Sequence, residues 1–403
     1  MRIVIFIENN QYGGLDTFCS SLINYWPNET DKFIIVCNSS HPGIENLQNS
    51  ISKNSKFLPH NIPLSWIYSK KIFFFLPLSI SRIFQPILRI IFFPIQALSI
   101  RKIFSKTDAD ELIVVNGGYP GGETCRIANI VWTSIGRKPG IHNYHNFAVT
   151  PRFGLGWFEN WLDRKVKDST KKFVSVSKAC SESLHHRKAF KNFQNNFHIY
   201  NGINLSDTYP SHPYNLRKRL KIDKSPLCLM LANYEVRKGH KFIFEVFSEV
   251  MKEIPEAHLV TCGGATDSEL LNIRKLKKQI VPSDQVHLLD FISDGASLIS
   301  QCNILLIGSQ EFESFGLTAI EAMARGVPVI STDIGGLPEV IGTDEKCGYV
   351  VHHNNKIKYS KKVIDTLKNR KLRISLGECG KKRVSELFNV TEMSQKYYEF
   401  LRD

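Results

Sequence analysis

The sequence lacks paired cysteines, low-complexity tracts and apolar runs long enough to cross a membrane. Its nine cysteines are scattered singly, and no CxxC pair occurs. An odd, scattered set argues against a disulfide framework or a zinc knuckle and is typical of a reducing cytoplasm. Met1-Arg2 leads directly into an apolar, strand-like stretch, so we expect no secretory signal peptide. These absences together favour a cytoplasmic protein.

Acidic residues are absent between Glu45 and Asp108, a stretch that contains nine Lys or Arg residues. Within it, Lys70–Lys106 is strongly apolar, but its uncharged runs, 72–81 and 90–100, are shorter than the roughly 18 residues that a membrane span needs. The basic residues that interrupt it are Arg82, Arg89, Arg101 and Lys102. This pattern favours one or two helices with an apolar face and a basic rim, lying on an anionic membrane surface, where each basic residue adds about 1 kcal/mol. The alternative is a helix pair buried against the sheet of its domain.

The net charge of +14 is unevenly distributed. Residues 1–205 hold 24 Lys and Arg against 13 Asp and Glu, or +11, whereas residues 206–403 hold 28 against 25, or +3. Nucleic acid is the other usual partner of a basic protein. We find no zinc finger, RNP-like aromatic strand or helix-turn-helix, so we expect no nucleic-acid partner.

Length and patterning predict an α/β protein of two doubly wound domains. The chain of 403 residues exceeds one ordinary core, and short apolar runs alternate with helix-period segments throughout. The strands predicted in the first half are Arg2–Ile7, Lys32–Val36, Glu111–Val115, Pro139–Tyr144, Lys172–Val176 and Asn196–Tyr200. Those predicted in the second half are Leu227–Leu231, His258–Thr261, Val286–Leu289, Ile304–Gly308 and Val327–Ser331. We predict helices over Leu15–Tyr25, Gly239–Lys252 and Ser268–Ile280.

The polar, Pro-containing sequence Asn204–Arg219 is the predicted linker between the domains. It separates a first domain, 1–205, from a second, 206–387, and we expect a C-terminal helix over 388–403 to return to the first. We expect the two domains to face each other across a cleft. Ligands bind beyond the carboxyl ends of the strands in such sheets, so the chemistry is expected in that cleft.

The most informative segment is Gly308–Ile341, GSQEFESFGLTAIEAMARGVPVISTDIGGLPEVI. It predicts a strand, a polar loop and a helix that begins near Gly316 and ends at Gly326, a residue suited to the left-handed position after a helix. The N–H groups at Ser314, Phe315, Gly316 and Leu317 are therefore expected to bind a phosphate.

Two acidic residues lie at either end of this helix start. Glu313 precedes the helix, and Glu321 follows eight residues later. Carboxylates accept hydrogen bonds from sugar hydroxyls, so the pair suits a sugar and a ribose joined through one diphosphate. Taken singly, Glu313 is equally an acid at a helix start, and Glu321 an exposed pair with Arg325 worth about 0.3–0.5 kcal/mol.

The E-x7-E spacing, the ESFG core and the following EAMARGVPVI resemble the signature of the family 4 retaining glycosyltransferases, which have the GT-B fold. The resemblance implies an N-terminal acceptor-side domain and a C-terminal domain that binds a nucleotide diphosphosugar. It implies transfer of a sugar to a hydroxyl with retention of anomeric configuration and without a metal or other cofactor. It also implies that Glu313 contacts the donor sugar and Glu321 the ribose. The sequence offers no DxD-like metal pair in a suitable loop, which agrees with metal independence.

Shorter blocks extend the resemblance into the first half. Gly13-Gly14 stands where the family has a Gly-rich turn near donor phosphate or acceptor, although a plain tight turn is an equal interpretation. It is not a GxGxxG fingerprint. VNGGYPGGE (Val115–Glu123) resembles a second, acceptor-side loop. His145 ends a predicted strand where the family has a histidine that contacts the donor sugar, with His142 as the rival candidate.

In the second half, LANYEVRKGH (Leu231–His240) resembles the loop in which the family sets Arg and Lys on the donor diphosphate. Lys238-Gly239 matches the Lys-Gly pair, but Asn233 stands where the arginine is usual. Arg237 is the candidate replacement by proximity. Gly263, in CGGATD (Cys262–Asp267), matches a loop that lines the nucleotide base. The resemblance thus assigns catalytic roles to Glu313, Lys238 and His145, and proximity to the lysine adds Arg237.

Combined with the basic apolar segment, these motifs predict a peripheral membrane glycosyltransferase that acts on a lipid-linked acceptor in surface polysaccharide synthesis, at the inner face of the cytoplasmic membrane. A small-molecule acceptor such as a hydroxy acid is the second interpretation. A catalytically silent GT-B protein that only binds sugar nucleotides is a third, favoured by Asn233 alone. A 2-epimerase is disfavoured by the complete E-x7-E block.

Overall fold

A computed structural model describes residues 1–11, 13–72, 85–151, 154–204, 214–222 and 224–403, apart from the side chain of Pro86. The chain divides into two compact units. Unit 1 comprises Met1–Tyr200 and Val390–Asp403, and unit 2 comprises Asn201–Asn389.

Unit 1 is built on a parallel sheet of seven strands in the order β3-β2-β1-β4-β5-β6-β7. The strands are β1 (Arg2–Ile7), β2 (Lys32–Asn38), β3 (Ser55–His60), β4 (Glu111–Asn116), β5 (Gly140–Tyr144), β6 (Thr170–Ser175) and β7 (Asn196–His198). The helices of unit 1 are α1 (Gly14–Asn24), α2 (Ile44–Ser50), α3 (Ser65–Ile72), α4 (Gln85–Ser105), α5 (Glu123–Ser134), α6 (Gly156–Asp168), α7 (Lys178–Ser183) and the C-terminal helix, α16 (Val390–Arg402).

Unit 2 has a parallel sheet of six strands in the order β10-β9-β8-β11-β12-β13. The strands are β8 (Leu227–Leu231), β9 (His258–Cys262), β10 (Val286–Leu289), β11 (Ile304–Ile307), β12 (Val329–Thr332) and β13 (Gly348–Val351). The helices of unit 2 are α8 (Leu216–Leu220), α9 (His240–Glu253), α10 (Asp267–Ile280), α11 (Gly295–Ser300), α12 (Leu317–Ala324), α13 (Leu337–Ile341), α14 (Lys356–Lys368) and α15 (Arg370–Leu387).

Strands β1 and β8, inside the two sheets, are apolar at every position except Arg2 because both faces of each sheet are covered. In β1, Ile3, Ile5 and Ile7 enter a core that contains residues of α1 and α16. Val4 and Phe6 enter the opposite core, with residues of α4 and α5. The two-residue period of a strand therefore supplies both cores. Burying each such side chain stabilises the fold by about 1.5–3 kcal/mol.

The C-terminal helix α16 belongs to unit 1 because its apolar stripe completes that first core. Val390, Met393, Tyr397 and Leu401 recur at helical spacing and are buried there. The hydroxyl of Tyr397 accepts a hydrogen bond at 2.6 Å from Nδ2 of Asn143, on β5. The helix is thus fixed to the sheet by both apolar and polar contacts.

The strand predictions are confirmed with shifts of one or two residues at several ends, whereas β3 and β13 were missed. The first of these, SKFLPH, mixes Lys, Pro and exposed positions because it lies at a sheet edge. The second begins at Gly348 directly after a run of bends and has only four residues. Part of the predicted linker, 205–213, lies outside the described residues. Its end forms α8, which Asn215 caps by accepting from the N–H of Lys218 at 3.0 Å.

The basic apolar segment contains the end of α3 and all of α4. Residues 73–84 between them, which include Arg82, lie outside the described part of the chain. Among the described residues, no helix is long and apolar enough to cross a membrane. One face of α4 is buried, with Ile100 and Phe104 in the second core of unit 1. The expectation of an apolar face with a basic rim and its alternative, a buried pair, therefore each describe one side of α4.

The cysteine prediction requires a correction, because Cys347 and Cys379 form a disulfide. Thirty-two residues separate them in sequence, but their Cα atoms lie 4.8 Å apart because α15 brings Cys379 beside the start of β13. The other seven cysteines are free and buried. An odd, scattered set therefore did not exclude a single pair, since spacing along the chain does not report contacts between elements.

Candidate active site

In unit 2, two loops that follow neighbouring strands meet at Lys238. The loop after β8 contains a short 3₁₀ turn, Val236–Lys238, and then Gly239 with φ of 75°. A Cβ atom on Gly239 would lie 1.8 Å from the carbonyl oxygen of Gly308, directly after β11. Only glycine permits both the left-handed backbone and this approach. The Lys-Gly pair of the sequence motif is thus explained by a contact between two loops.

Glu313 forms an ion pair, through its carboxylate, with the ammonium group of Lys238. Its Oε2 atom lies 2.6 Å from Nζ of Lys238 and accepts a hydrogen bond at 3.0 Å from Oγ of Ser309. Its carbonyl oxygen accepts the N–H of Gly336 at 2.9 Å, from the loop after β12. Both side chains of the ion pair are partly exposed. Three loops at the carboxyl edge of the sheet therefore hold one carboxylate beside one accessible ammonium group.

The helix start predicted at Gly316 is present. Gly316 has φ of 102° and stands at the N-cap of α12, while Gly326, with φ of 71°, follows its end. A Cβ atom on Gly316 would come within 2.8 Å of the Leu337 side chain. The side chain of Phe315 is buried against Phe388, and Leu317 is half-buried. The turn therefore presents backbone N–H groups, together with the partial positive charge of a helix start.

Glu321 lies on α12, where its carboxyl group is shielded from solvent. Burial raises the pKa of its carboxyl group, and the nearby charge of Arg325 partly opposes that shift. Nη1 of Arg325 donates at 2.8 Å to the backbone carbonyl of Glu321. The interpretation as an exposed surface pair is therefore wrong. A partly buried acceptor at this position suits a ribose diol, which can supply the hydrogen bonds that water no longer makes.

Arg237 and Asn233 have other contacts. Nε of Arg237 lies 2.5 Å from Oε2 of Glu235, and its guanidinium group lies 4.6 Å from the ring centre of Phe312, the residue before Glu313. Asn233 Oδ1 accepts the N–H of Gly264 at 3.2 Å. Asn233 thus stabilises a loop where the resembling family has an arginine. Arg237 is close to the motif but is paired with Glu235.

Gly263 is required by packing. A Cβ atom there would lie 2.0 Å from the carbonyl oxygen of Ala232. The loops after β8 and β9 are therefore pressed together, backbone against backbone. Any side chain at this position would separate them.

In unit 1, the Gly13-Gly14 turn follows β1 and begins α1. The N–H of Gly13 donates at 2.9 Å to Oδ2 of Asp16, whose Oδ1 lies 2.7 Å from Nε2 of His41. A buried Asp–His pair therefore fixes the turn. A Cβ atom at position 13 would have no described atom within 4 Å beyond those of its chain neighbours.

His145 directly follows β5, as predicted, and its backbone N–H donates to the carbonyl of Asn116 at 2.9 Å. Its ring lies 4.3 Å from that of Phe18, on α1, which places it near the Gly13 turn. Burial lowers the pKa of His145 to about 3, so the ring is neutral. Nε2 is buried and has no hydrogen-bond partner among the described residues. A ligand hydroxyl would satisfy it.

The rival candidate, His142, is enclosed within β5. Its Nδ1 lies 2.7 Å from Oδ1 of Asn129, and its Nε2 lies 3.3 Å from Nδ2 of Asn116. Both ring nitrogens are thus occupied by the protein. Of the two histidines, His145 alone has a ring nitrogen that a ligand could use.

The predicted site residues form two sets. The residues in unit 2 are Glu313, Lys238, Arg237, Gly263, Ser314–Leu317 and Glu321. Those in unit 1 are Gly13, Gly14 and His145. Sequence reasoning missed Asp16, His41 and Ser309, which hold the predicted residues in place. Asp16 had a usable signal, since an acid three residues after a helix cap is a capping-box pattern. His41 and Ser309 had none, because their partners lie far away or in an irregular loop.

Comparisons with known proteins show which family and which folds this chain is similar to. Residues 214–383 match the family described as glycosyl transferases group 1. N-acetyl-alpha-D-glucosaminyl L-malate synthase of Bacillus anthracis is 30% identical over 210 residues, which are 51% of this chain and 54% of that protein. The O-antigen biosynthesis glycosyltransferase WclY of Escherichia coli is 31% identical over 150 residues, 37% of this chain and 40% of that protein. The matched segments thus span about half the length of these relatives or less.

The fold extends further than the sequence similarity. The crystal structure of Anabaena HepE in complex with UDP aligns with a TM-score of 0.73 and 14% identity, covering 100% of both chains. The GT-B fold is therefore confirmed. The family match over residues 214–383 and the relatives named as glycosyltransferases support the resemblance to the family 4 glycosyltransferases.

Proposed function

We propose that the protein transfers a sugar from a nucleotide diphosphosugar to a hydroxyl acceptor with retention of configuration. The observation that carries this proposal is the contact between Lys238 and Glu313, formed where the loops after β8 and β11 meet beside the start of α12. Departure of the nucleoside diphosphate places an additional negative charge on the diphosphate. Groups fixed in advance to receive that charge are the main source of rate acceleration in such reactions.

The two members of the ion pair act together and contact different groups of the same donor in this proposal. Lys238 and the N–H groups at Ser314–Leu317 bind the diphosphate, while Glu313 accepts hydrogen bonds from the donor sugar and Glu321 from the ribose. His145, neutral through burial, contributes one ring nitrogen to a sugar hydroxyl. No side chain is assigned as a covalent nucleophile, and the leaving phosphate accepts the proton of the acceptor. The proposed reaction uses no metal or other cofactor.

The donor is tested by a thermal-shift screen with UDP-, GDP- and ADP-sugars, because a ligand that binds only the folded state raises the melting temperature. We expect one nucleotide class to stabilise the protein. The stabilising donor is then incubated with lipid and small-molecule acceptors, and the anomeric configuration of the product is determined by NMR. Stabilisation without any transfer or donor hydrolysis would instead identify a silent sugar-nucleotide-binding protein.

We further propose a lipid-linked acceptor at an anionic membrane surface, with the protein bound peripherally to the inner face of the cytoplasmic membrane. Four apolar side chains on α4 are exposed at helical spacing: Ile87, Ile91, Ile95 and Leu98. This outer stripe of α4 faces away from the core, and Leu98 is 68% exposed. Neither α3 nor α4 contains an acidic residue. An apolar stripe within a region of positive charge suits anionic lipid.

A second helix extends this apolar surface. Phe93 of α4 contacts Trp161 of α6 at 5.6 Å between ring centres, and Trp157 of α6 is 68% exposed. Tryptophan favours the lipid–water interface because one end of its ring system is polar. Exposed Arg101 and Lys102 lie near the end of α4. These contacts support membrane binding by both apolar insertion and charge.

A small hydroxy acid is the alternative acceptor. It is favoured by the 30% identity to a protein named as a malate synthase. The acceptor assays separate the two proposals directly. Transfer to malate, with none to a lipid-linked glycan, would replace the lipid proposal.

A further inference from the structure

A second group of chemically competent side chains lies at the carboxyl edge of the sheet in unit 2. Asp333 follows β12, and His352 and His353 follow β13. One potential ligand atom from each lies within 4.8 Å of the other two. The transfer mechanism uses none of these three residues. They come together because β12 and β13 are parallel neighbours, so their carboxyl ends meet.

The geometry within the group is specific. Oδ1 of Asp333 lies 2.9 Å from Nδ1 of His353 and accepts the backbone N–H of His353, also at 2.9 Å. The rings of His352 and His353 are 4.4 Å apart between centres. Ligand atoms about 2.1 Å from a tetrahedral Zn²⁺ lie roughly 3.4 Å from each other, so Oδ1 of Asp333 and Nδ1 of His353 need to separate by only about 0.5 Å to share one ion. At 2.9 Å the two atoms share a hydrogen bond between the loops, and a bound ion would take the place of its proton.

We propose that Asp333, His352 and His353 bind a divalent transition metal ion, Zn²⁺ in the first instance. Two imidazoles and one carboxylate are a donor set for Zn²⁺ and its neighbours, whereas Mg²⁺ and Ca²⁺ prefer oxygen ligands. Asp333 and His353 are half-buried and His352 is exposed, so an ion can reach the site from solvent. Three protein ligands leave a coordination position for water.

The site adjoins the loops that hold the donor motif. Three residues after Asp333, the N–H of Gly336 donates to the carbonyl of Glu313 at 2.9 Å. On the other side, Nε2 of Gln310 lies 3.5 Å from the carbonyl oxygen of His353. A bound ion would join the loops after β12 and β13 beside the loop after β11. Its role is therefore structural or regulatory, and metal binding does not depend on the proposed transfer reaction.

The test is calorimetric titration of tag-free protein with Zn²⁺, followed by Co²⁺ as an absorbing substitute. We expect one equivalent of Zn²⁺ to bind and to raise the melting temperature, because the ion binds only the folded state. Mg²⁺ should produce neither effect. We expect His352→Ala, His353→Ala and Asp333→Asn each to weaken Zn²⁺ binding by at least about tenfold.

His186→Ala is the matched control, because His186 is exposed but lies in unit 1, outside the group. It should bind Zn²⁺ like the unmodified protein. Circular dichroism in metal-free buffer will show whether each variant is folded, and His352→Ala, at the most exposed position, is the variant least expected to disturb folding. The proposal is overturned if the unmodified protein binds no Zn²⁺, or if folded His352→Ala and Asp333→Asn bind it as tightly as His186→Ala.

Discussion

At the scale of single residues, the candidate donor site depends on positions where a side chain is either essential or forbidden. Lys238 and Glu313 supply the charges, 2.6 Å apart. Gly239 and Gly263 supply the close approach of the loops that carry them, since a Cβ at either position would meet a backbone carbonyl. The chemistry and the glycines are therefore parts of one arrangement.

Lys238→Ala is expected to reduce kcat/KM for donor turnover by about 10²–10³, because removal of one preorganised group that stabilises developing charge costs roughly 2.7–4 kcal/mol. Glu313→Gln should lower it through loss of the carboxylate that accepts sugar hydroxyls. Donor hydrolysis or transfer by the purified variants provides the measurement. Lys241→Ala is the control, since Lys241 is exposed on α9 just beyond the motif. Equal rates for Lys238→Ala and Lys241→Ala would remove Lys238 from the site.

A buried carboxyl group in unit 1 predicts a pH effect on stability. Burial, together with the nearby charge of Glu8, raises the pKa of Glu123 to about 7, although Arg89 and the N–H of Ser65 oppose the shift. The folded state therefore binds more protons than the unfolded state between about pH 4.5 and 7. Stability attributable to this group falls as the pH rises through that window.

Glu123→Gln should consequently raise the melting temperature at pH 8 and change it little at pH 4.5. The amide retains an oxygen that can accept the N–H of Ser65, as Oε1 of Glu123 does. Calorimetric melting curves at both pH values provide the comparison. An equal destabilisation at both pH values would show that the carboxyl group is ionised and stabilising in the folded protein.

At the scale of elements, α4 shows what sequence reasoning could and could not supply. The absence of acid from Lys70–Lys106 indicated one or two helices with an apolar face and a basic rim, and α4 has an exposed apolar stripe with exposed Arg101 and Lys102 near its end. The division of α4 into a buried face and an exposed stripe depends on the packing of Ile100 and Phe104 in the core. Arg89, predicted to interact with lipid, is instead largely buried, with Nε 3.9 Å from Oε2 of Glu123.

The outer stripe of α4 predicts how the protein binds vesicles. Ile91→Asp with Leu98→Asp should abolish co-sedimentation with anionic vesicles at every salt concentration, because apolar insertion is lost. Arg101→Glu with Lys102→Glu should reduce binding mainly at low salt, where surface charges are least screened.

Ile374→Asp is the control for the vesicle experiment, because Ile374 is 55% exposed but lies on α15 in unit 2. It should sediment like the unmodified protein. Unchanged binding of Ile91→Asp with Leu98→Asp would contradict membrane binding through this face.

The other elements also divide into those that the sequence could predict and those that it could not. Central strands such as β1 and β8 were predictable because all their positions except Arg2 are apolar, whereas the edge strands β3 and β13 have mixed or very short patterns. The helix start at Gly316 was predictable from Gly, Pro and acid positions around α12. The disulfide and the pair of Asp16 with His41 were not, since each joins elements that only the completed fold brings together.

At the scale of the whole molecule, each unit has its own sheet, its own cores and its own set of candidate site residues. The family 4-like resemblance identified both sets from short motifs, because glycines and acids at loop positions are constrained by backbone geometry as well as by chemistry. The residues that position them were largely hidden, since a hydrogen bond between distant loops leaves no pattern in sequence.

The central claim is that Lys238 and Glu313 act as one unit on the donor, and a double-mutant cycle tests it most directly. The measurement is kcat/KM for donor turnover by the unmodified protein, Lys238→Ala, Glu313→Gln and the double variant. Residues that act together are non-additive, so we expect the double variant to lose little more activity than the worse single variant. Strictly additive losses, or no loss in either single variant, would contradict the claim.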